Sequence, residues 1–259
     1  DSGCYALRAG QYPNIGVGYD TAAWKRRDMY EYVRLPQPFL SPNGKWLECA
    51  VVNAPASVTF SGTGVDVYWL ADIAGGTFTI TIDDTLRATV ATSGAKSVGK
   101  TAITGLAAAK HTMRLVVTSL AAGGRVTLLG FDVREDRGGS LKRSVVHNWG
   151  NGWCSSQEFI DIDSTVFVSG LHALAPDVIV VLLGTNDHFI ASRSSSHFKA
   201  NLIGIVNRIK ASGTGAHLLL VSTFMTNDAS GATFLPQYRA TSWPEAAAQT
   251  GVHYWDMCD

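Results

Sequence analysis

Pro176-Asp177-Val178-Ile179-Val180-Val181-Leu182-Leu183-Gly184-Thr185-Asn186-Asp187-His188 decides how the rest of the chain is read. Val178 to Leu183 is an unbroken apolar run, mostly β-branched. It predicts a strand buried on both faces, in the middle of a parallel sheet. The run ends in the polar turn Gly184-Thr185-Asn186-Asp187. Open α/β sheets carry their sites at that carboxyl edge. The turn has two readings. Asn186 can offer a neutral, fixed N–H donor to a developing oxyanion, or Asn-Asp can simply close an Asx-type turn.

Outward from this strand the rhythm is α/β. Upstream, Ser144 to Asn148 reads as a short strand, followed by the loop Trp149-Gly150-Asn151-Gly152-Trp153-Cys154. Ser155-Ser156-Gln157-Glu158 has the form of a capping box opening a helix. A second helical stretch ends at Ala175-Pro176. Downstream, Ser194 to Ala211 predicts an amphipathic helix with Phe198, Leu202, Ile205, Val206 and Ile209 on one face. His217 to Val221 reads as a strand, Pro244 to Gln249 as a helix closed by Gly251, and Val252 to Trp255 as the last strand. Strand–helix alternation implies a parallel sheet with right-handed crossovers.

From Lys45 to Asp136 the texture changes to Thr, Val, Gly and Ala with a period of two, as in Thr77-Phe78-Thr79-Ile80-Thr81-Ile82. Eight half-buried antiparallel strands are expected, near 46–52, 57–61, 64–71, 76–82, 86–92, 100–104, 110–118 and 124–134. Turn signals such as Gly75-Gly76, Asp83-Asp84 and Gly123-Gly124 separate them. The spacing predicts a β-sandwich of jelly-roll kind. Thr21 to Val33 predicts a helix that Leu35-Pro36-Gln37-Pro38 ends. The expected division is residues 41–140 as an inserted sandwich, with 1–40 and 141–259 together forming a three-layer α/β domain.

The 259 residues are 46% hydrophobic and 16% charged, which excludes a disordered chain. With 21 basic and 21 acidic side chains, no nucleic-acid partner is expected, and no apolar run is long enough for membrane insertion by a helix. Cys4, Cys49, Cys154 and Cys258 form no Cys-x-x-Cys pair, so no structural zinc is expected. A Cys4–Cys154 disulfide stays open.

Pro-Asp-Val-Ile-Val-Val-Leu-Leu-Gly-Thr-Asn-Asp resembles the Gly-x-Asn-Asp block of the SGNH, or GDSL-type, hydrolases, serine esterases of flavodoxin-like fold. The resemblance covers roughly residues 1–35 and 141–259. It implies Asn186 as an oxyanion donor and a backbone N–H in the upstream loop as the second. That donor is carried onto Gly152, with Gly150 the alternative because the loop departs from the family pattern. The family's Gly-Asp-Ser block implies Ser2 as nucleophile, since the chain opens on Asp1-Ser2. The closing Asp-x-x-His block is missing, because Asp256-Met257-Cys258-Asp259 has no His. The chain is therefore expected to be truncated at both ends, or to have lost activity.

The resemblance implies an acyl-enzyme mechanism without cofactor or metal, on an ester substrate that is carbohydrate-linked, such as an acetylated polysaccharide. The expected setting is extracellular or virion-associated. The alternative is an inactive structural or glycan-binding protein, such as a virion tail or cell-surface component, with homo-oligomer or virion assembly. Trp46, Phe60, Tyr68, Trp69 and Phe78 in the sandwich have two readings, core packing or stacking on sugar rings. His188 follows the Asn-Asp pair and reads either as facing the site or as a surface loop residue. His147, His217 and His253 are expected in or beside buried strands, and His111, His172 and His197 on exposed faces. Asp187 is expected to bond loop amides.

Overall fold

The computed structural model describes residues 4–5, 16–28, 45–134, 147, 154–189, 193–223 and 235–257. The chain divides into two compact units: Asp1–Glu31 with Leu40–Gly150, and Tyr32–Phe39 with Asn151–Asp259.

The first unit is a two-sheet antiparallel sandwich. Its strands are β1 (Cys4–Tyr5), β2 (Gly16–Tyr19), β3 (Trp24–Asp28), β4 (Lys45–Cys49), β5 (Pro55–Gly62), β6 (Gly64–Ala71), β7 (Gly76–Ile82), β8 (Thr85–Ala91), β9 (Ser97–Ile103), β10 (Ala109–Leu120) and β11 (Val126–Arg134). One sheet runs β3-β4-β11-β6-β9, with β1 also on β11, and the other runs β2-β5-β10-β7-β8. The eight strands expected from alternation and turn signals are β4 to β11. In β7 Gly76, Phe78, Ile80 and Ile82 are buried and the threonines between them are half-buried, as a period of two demands. Their side chains meet Val65, Val67, Leu128 and Phe131 of the other sheet in one core.

Three expectations are corrected here. The helix predicted over Thr21–Val33 is absent where residues are described, because Trp24–Asp28 is a strand paired with β4. Trp24, only 1% exposed, enters the core, while Arg27 pairs with Glu48 at 3.1 Å. Residues 16–28, expected in the α/β domain, thus belong to the sandwich sheets. Thirdly, β6 and β11 are buried on both faces rather than half-buried. A register shift between Leu128 and Gly130 helps bury Leu128 and Leu129 together. The outward face of these strands holds Tyr68, whose hydroxyl donates to Asp132 at 2.8 Å, and an Asp66–Arg134 ion pair. His147, half-buried, sets Nε2 3.6 Å from the Asp132 carboxylate.

The aromatic question resolves toward packing: Trp46, Phe60, Tyr68 and Phe78 are buried, and Trp69 is half-buried with Nε1 donating to Thr101.

His111 is also corrected: it is buried, not exposed. Its Nδ1 lies 2.6 Å from Asp83 Oδ2 and its Nε2 2.8 Å from the Ala107 carbonyl oxygen. Both ring nitrogens face acceptors, so only the imidazolium satisfies both. Asp83 and Asp84 form the two-residue β7–β8 turn with φ of 49° and 62°, and Asp83 Oδ1 accepts from Thr112 N–H at 2.8 Å. The Asp83 bond raises the His111 pKa, and the same bond lowers that of Asp83. The raised His contributes stability fully below its unfolded pKa and loses it as pH rises through the folded value. The lowered Asp contributes above its unfolded pKa and loses it as pH falls through the folded value. The pair therefore stabilises most between about pH 4 and about pH 6.5. Urea midpoints of wild type and His111→Gln should differ most in that window and converge by about pH 9. A gap independent of pH would refute the imidazolium.

The second unit holds α1 (Ser156–Asp161), α2 (Ser164–Leu174), β12 (Val178–Leu182), α3 (Thr185–Phe189), α4 (Ser195–Ala211), β13 (His217–Val221), α5 (Leu235–Gln237), a π-helical turn Tyr238–Ser242, α6 (Trp243–Thr250) and β14 (His253–Trp255). The strands form a parallel sheet in the order β12-β13-β14. Glu158 accepts from the Ser155 N–H at 2.6 Å, completing the expected capping box. All five residues of the predicted α4 stripe are buried. α6 ends at Gly251 in the left-handed region, as read from the sequence.

The expectation that β12 is buried on both faces is corrected. Val181 is buried, but Val178, Val180 and Leu182 are 58%, 56% and 49% exposed. Parallel register puts them on one sheet face with Trp255, itself 57% exposed. Among the described residues β12 pairs only with β13, and the exposure on this face is at β12 and Trp255, since Val221 between them is buried. The strand expected at Ser144–Asn148 lies outside the described residues, apart from His147.

Candidate active site

Because β12, β13 and β14 are parallel, their carboxyl ends share one edge. Three polar groups leave the sheet there: Gly184–Asp187 after β12, Ser222–Thr223 after β13 and Asp256 after β14.

Gly184 makes the first turn possible. Its φ is 127°, and a Cβ there would lie 2.8 Å from the Trp243 ring and 3.1 Å from Phe198. Phe198, Tyr238 and Trp243 form a buried aromatic cluster beneath it, with Phe198 and Tyr238 stacked at 4.3 Å. Tyr238 donates its hydroxyl to the Arg193 carbonyl oxygen. Burial pushes the Tyr238 phenol well up, so it stays a neutral donor.

The turn then winds into α3 and presents Asn186 and Asp187 to the segment before α1. Asn186 Nδ2 donates to the Cys154 carbonyl oxygen at 2.8 Å. That contact fixes which end of the amide carries the donors, and it uses one of two N–H groups. Asp187 is fully buried and accepts from Ser156 twice, from N–H at 2.8 Å and from Oγ at 2.5 Å. Ser156 Oγ accepts in turn from Asn201 Nδ2 of α4 at 2.9 Å. Desolvation raises the Asp187 pKa, against the lowering effects of Ser156 and of Arg193, whose Nε lies 3.5 Å away. Arg208 holds the far end of α1 by donating to the Phe159, Ile160 and Ile162 carbonyl oxygens.

The exit of β14 is held as well. Asp256 accepts from Ser222 Oγ at 2.8 Å and from Arg239 Nε, and Ser222 Oγ accepts from the Met257 N–H at 3.0 Å.

Of the site residues read from the sequence, Asn186 is placed as described above. Ser2 and Gly152, with its alternative Gly150, lie outside the described residues. So does the side chain of Cys4, on which the disulfide question rests, while Cys154 is buried. His188 is buried, 4.5 Å edge-on from Phe189, so the surface-loop reading is corrected. His217 and His253 stand at the first positions of β13 and β14, the strand-end placement expected, and are exposed, as are His172 and His197. Ser156, Asn201 and Arg193 were not read as site residues. Asn201 had a signal, since it interrupts the apolar stripe of α4 between Phe198 and Leu202.

Residues 42–139 match the family described as Carbohydrate esterase 2 N-terminal. The matched stretch contains β4 to β11 of the sandwich. No curated protein matches the chain in sequence. Among solved structures, "Peptidoglycan O-acetylesterase in action, 5 min" is 14% identical with a TM-score of 0.64, covering 98% of this chain and 68% of that one. It shows a shared fold. A family two carbohydrate esterase from Clostridium thermocellum in complex with cellohexaose is 16% identical with a TM-score of 0.30, covering 81% of this chain and 83% of that one. An acetyl xylan esterase from the rumen bacterium Butyrivibrio proteoclasticus is 9% identical with a TM-score of 0.32, covering 94% of this chain and 89% of that one.

Proposed function

We propose that the chain is a carbohydrate esterase of SGNH type that removes acyl groups, acetyl in the first instance, from a glycan. Asn186 carries the reading. Its amide stands at the carboxyl edge of a parallel sheet and is oriented by the Cys154 carbonyl oxygen, with its second N–H left for an oxyanion. The match of residues 42–139 to a carbohydrate esterase family supports the substrate class.

In this reading the Ser2 hydroxyl attacks the ester carbonyl carbon and passes its proton to a histidine base. The carbonyl oxygen becomes an oxyanion held by the Asn186 side chain and the Gly152 N–H. Gly152 precedes Cys154 by two residues, which limits their Cα separation to about 7 Å. The carbon–oxygen bond to the sugar then breaks, the sugar hydroxyl leaves with the proton, and water hydrolyses the acyl-enzyme. The family carries its base in an Asp-x-x-His block after its last strand. Here the Ser222–Asp256–Arg239 cluster fixes the exit of β14.

The test has two arms on the full-length protein. Acetate release is measured from acetylated xylan and from O-acetylated peptidoglycan, and a fluorophosphonate probe is mapped by mass spectrometry. Acetate release with the label on Ser2 is expected. Release with the label on another residue would remove Ser2 as nucleophile, and no release from either glycan would remove the esterase reading.

A further inference from the structure

We propose that Asp187 is a positioning residue which, through Ser156, sets the oxyanion donor Asn186 against the Cys154 carbonyl oxygen. The proposal deepens the esterase reading and rests on it for the donor role of Asn186.

Two adjacent residues on α3 grip two alternate residues before and at the start of α1. Asn186 donates to Cys154, and Asp187 accepts both Ser156 bonds. The grip is buried at Asp187 and Ser156, both with 0% exposure, and Asn201 closes it from α4. A carboxylate meets two donors on Ser156 without conflict, because both its oxygens accept. Arg193 supplies a nearby positive charge. Among the described residues the Asp187 carboxylate bonds Ser156 and lies beside Arg193, not the edge groups of β13 or β14, so its role is carried by Ser156 rather than by direct chemistry.

Asp187→Asn keeps the shape but turns one acceptor into a donor. The Ser156 N–H can keep its partner, while the Ser156 hydroxyl must rotate to accept, and the two-point grip is reduced to a weaker one. Ser156→Ala removes the hydroxyl arm alone. Neither change deletes large apolar volume, so both variants should fold. Glu245→Gln, at an exposed Lys199 pair on the same unit, is the control.

The experiment reads the side-chain amide of Asn186 by ¹⁵N–¹H NMR alongside kcat and KM for p-nitrophenyl acetate in full-length protein. Both grip variants should shift and broaden the Asn186 Nδ2 resonances. Their kcat should fall by about 10- to 100-fold with little change in KM, the pattern of a donor displaced by a fraction of an ångström. The control should change neither. Unaltered Asn186 resonances in both folded variants would overturn the proposal. Altered resonances in a wild-type background that hydrolyses no ester would retain the positioning and overturn the esterase reading instead.

Discussion

Asn186→Ala should lower kcat by roughly 10²- to 10³-fold while KM changes little, the usual loss when one side-chain donor leaves an oxyanion hole. The reason is when the contact matters. A neutral amide adds little to binding an uncharged ester, but much once the carbonyl oxygen carries charge. The variant should still fold. Asn186 is half-buried, and its side-chain bond to the Cys154 carbonyl oxygen is worth about 1 kcal/mol. Asn186→Asp sharpens the test. It preserves size but sets a carboxylate against both the Cys154 carbonyl oxygen and the oxyanion, so it should be at least as impaired as alanine. Steady-state kinetics with a thermal melt on each variant decide it. A kcat within threefold of wild type in the alanine form would exclude Asn186 from the oxyanion site.

Gly184→Ala is expected to destabilise the second unit by about 2–6 kcal/mol, the sum of backbone strain and overpacking. At φ 127° an L-residue is strained whatever surrounds it, and here the added methyl would meet Trp243 and Phe198. Both rings are fully buried and packed on Tyr238, so they have no open side to retreat into. Against a total stability of about 5–15 kcal/mol the loss is large. Gly213→Ala separates the two causes. Gly213 has φ 71° in the loop after α4 and no heavy atom within 4 Å of its Cβ position, so only the backbone part, about 1–2 kcal/mol, should appear. Denaturant titrations should therefore show the larger loss for Gly184→Ala, by about the 1–3 kcal/mol of overpacking, and equal losses would refute the packing part.

What could be read from the sequence followed from local periodicity. Strands such as β7 and β10 alternate apolar and polar residues between turn signals, and α4 shows its buried stripe, because one face of each is turned away from the core. Local pattern failed where distant pairing decides. Trp24-Lys25-Arg26-Arg27-Asp28 carries no strand signal of its own, and it is a strand because β4 lies beside it and Trp24 fills the core. His111 is buried because Asp83, 28 residues away, supplies the compensating charge. The Gly-Thr-Asn-Asp turn could be placed at a sheet edge, since strand-then-turn is local. The bonds from Ser156 and Asn201 that fix it span 31 and 45 residues, and no spacing rule reaches that far. The apolar run of β12 misled in the other direction. An unbroken run looks the same whether its second face is covered or bare.

The exposed apolar side chains of β12 and β14 alter how one common assay must be interpreted. Val178, Val180, Leu182 and Trp255 give the folded protein an apolar row of the kind that takes up the dye ANS. Bright ANS emission is ordinarily taken as the mark of a molten globule, with tertiary packing lost and secondary structure retained. Here the native sheet itself supplies the dye site, so emission under native conditions reports an exposed ordered surface. Loss of packing has to be judged instead from near-UV circular dichroism, to which the Phe198–Tyr238–Trp243 cluster contributes a strong native signal.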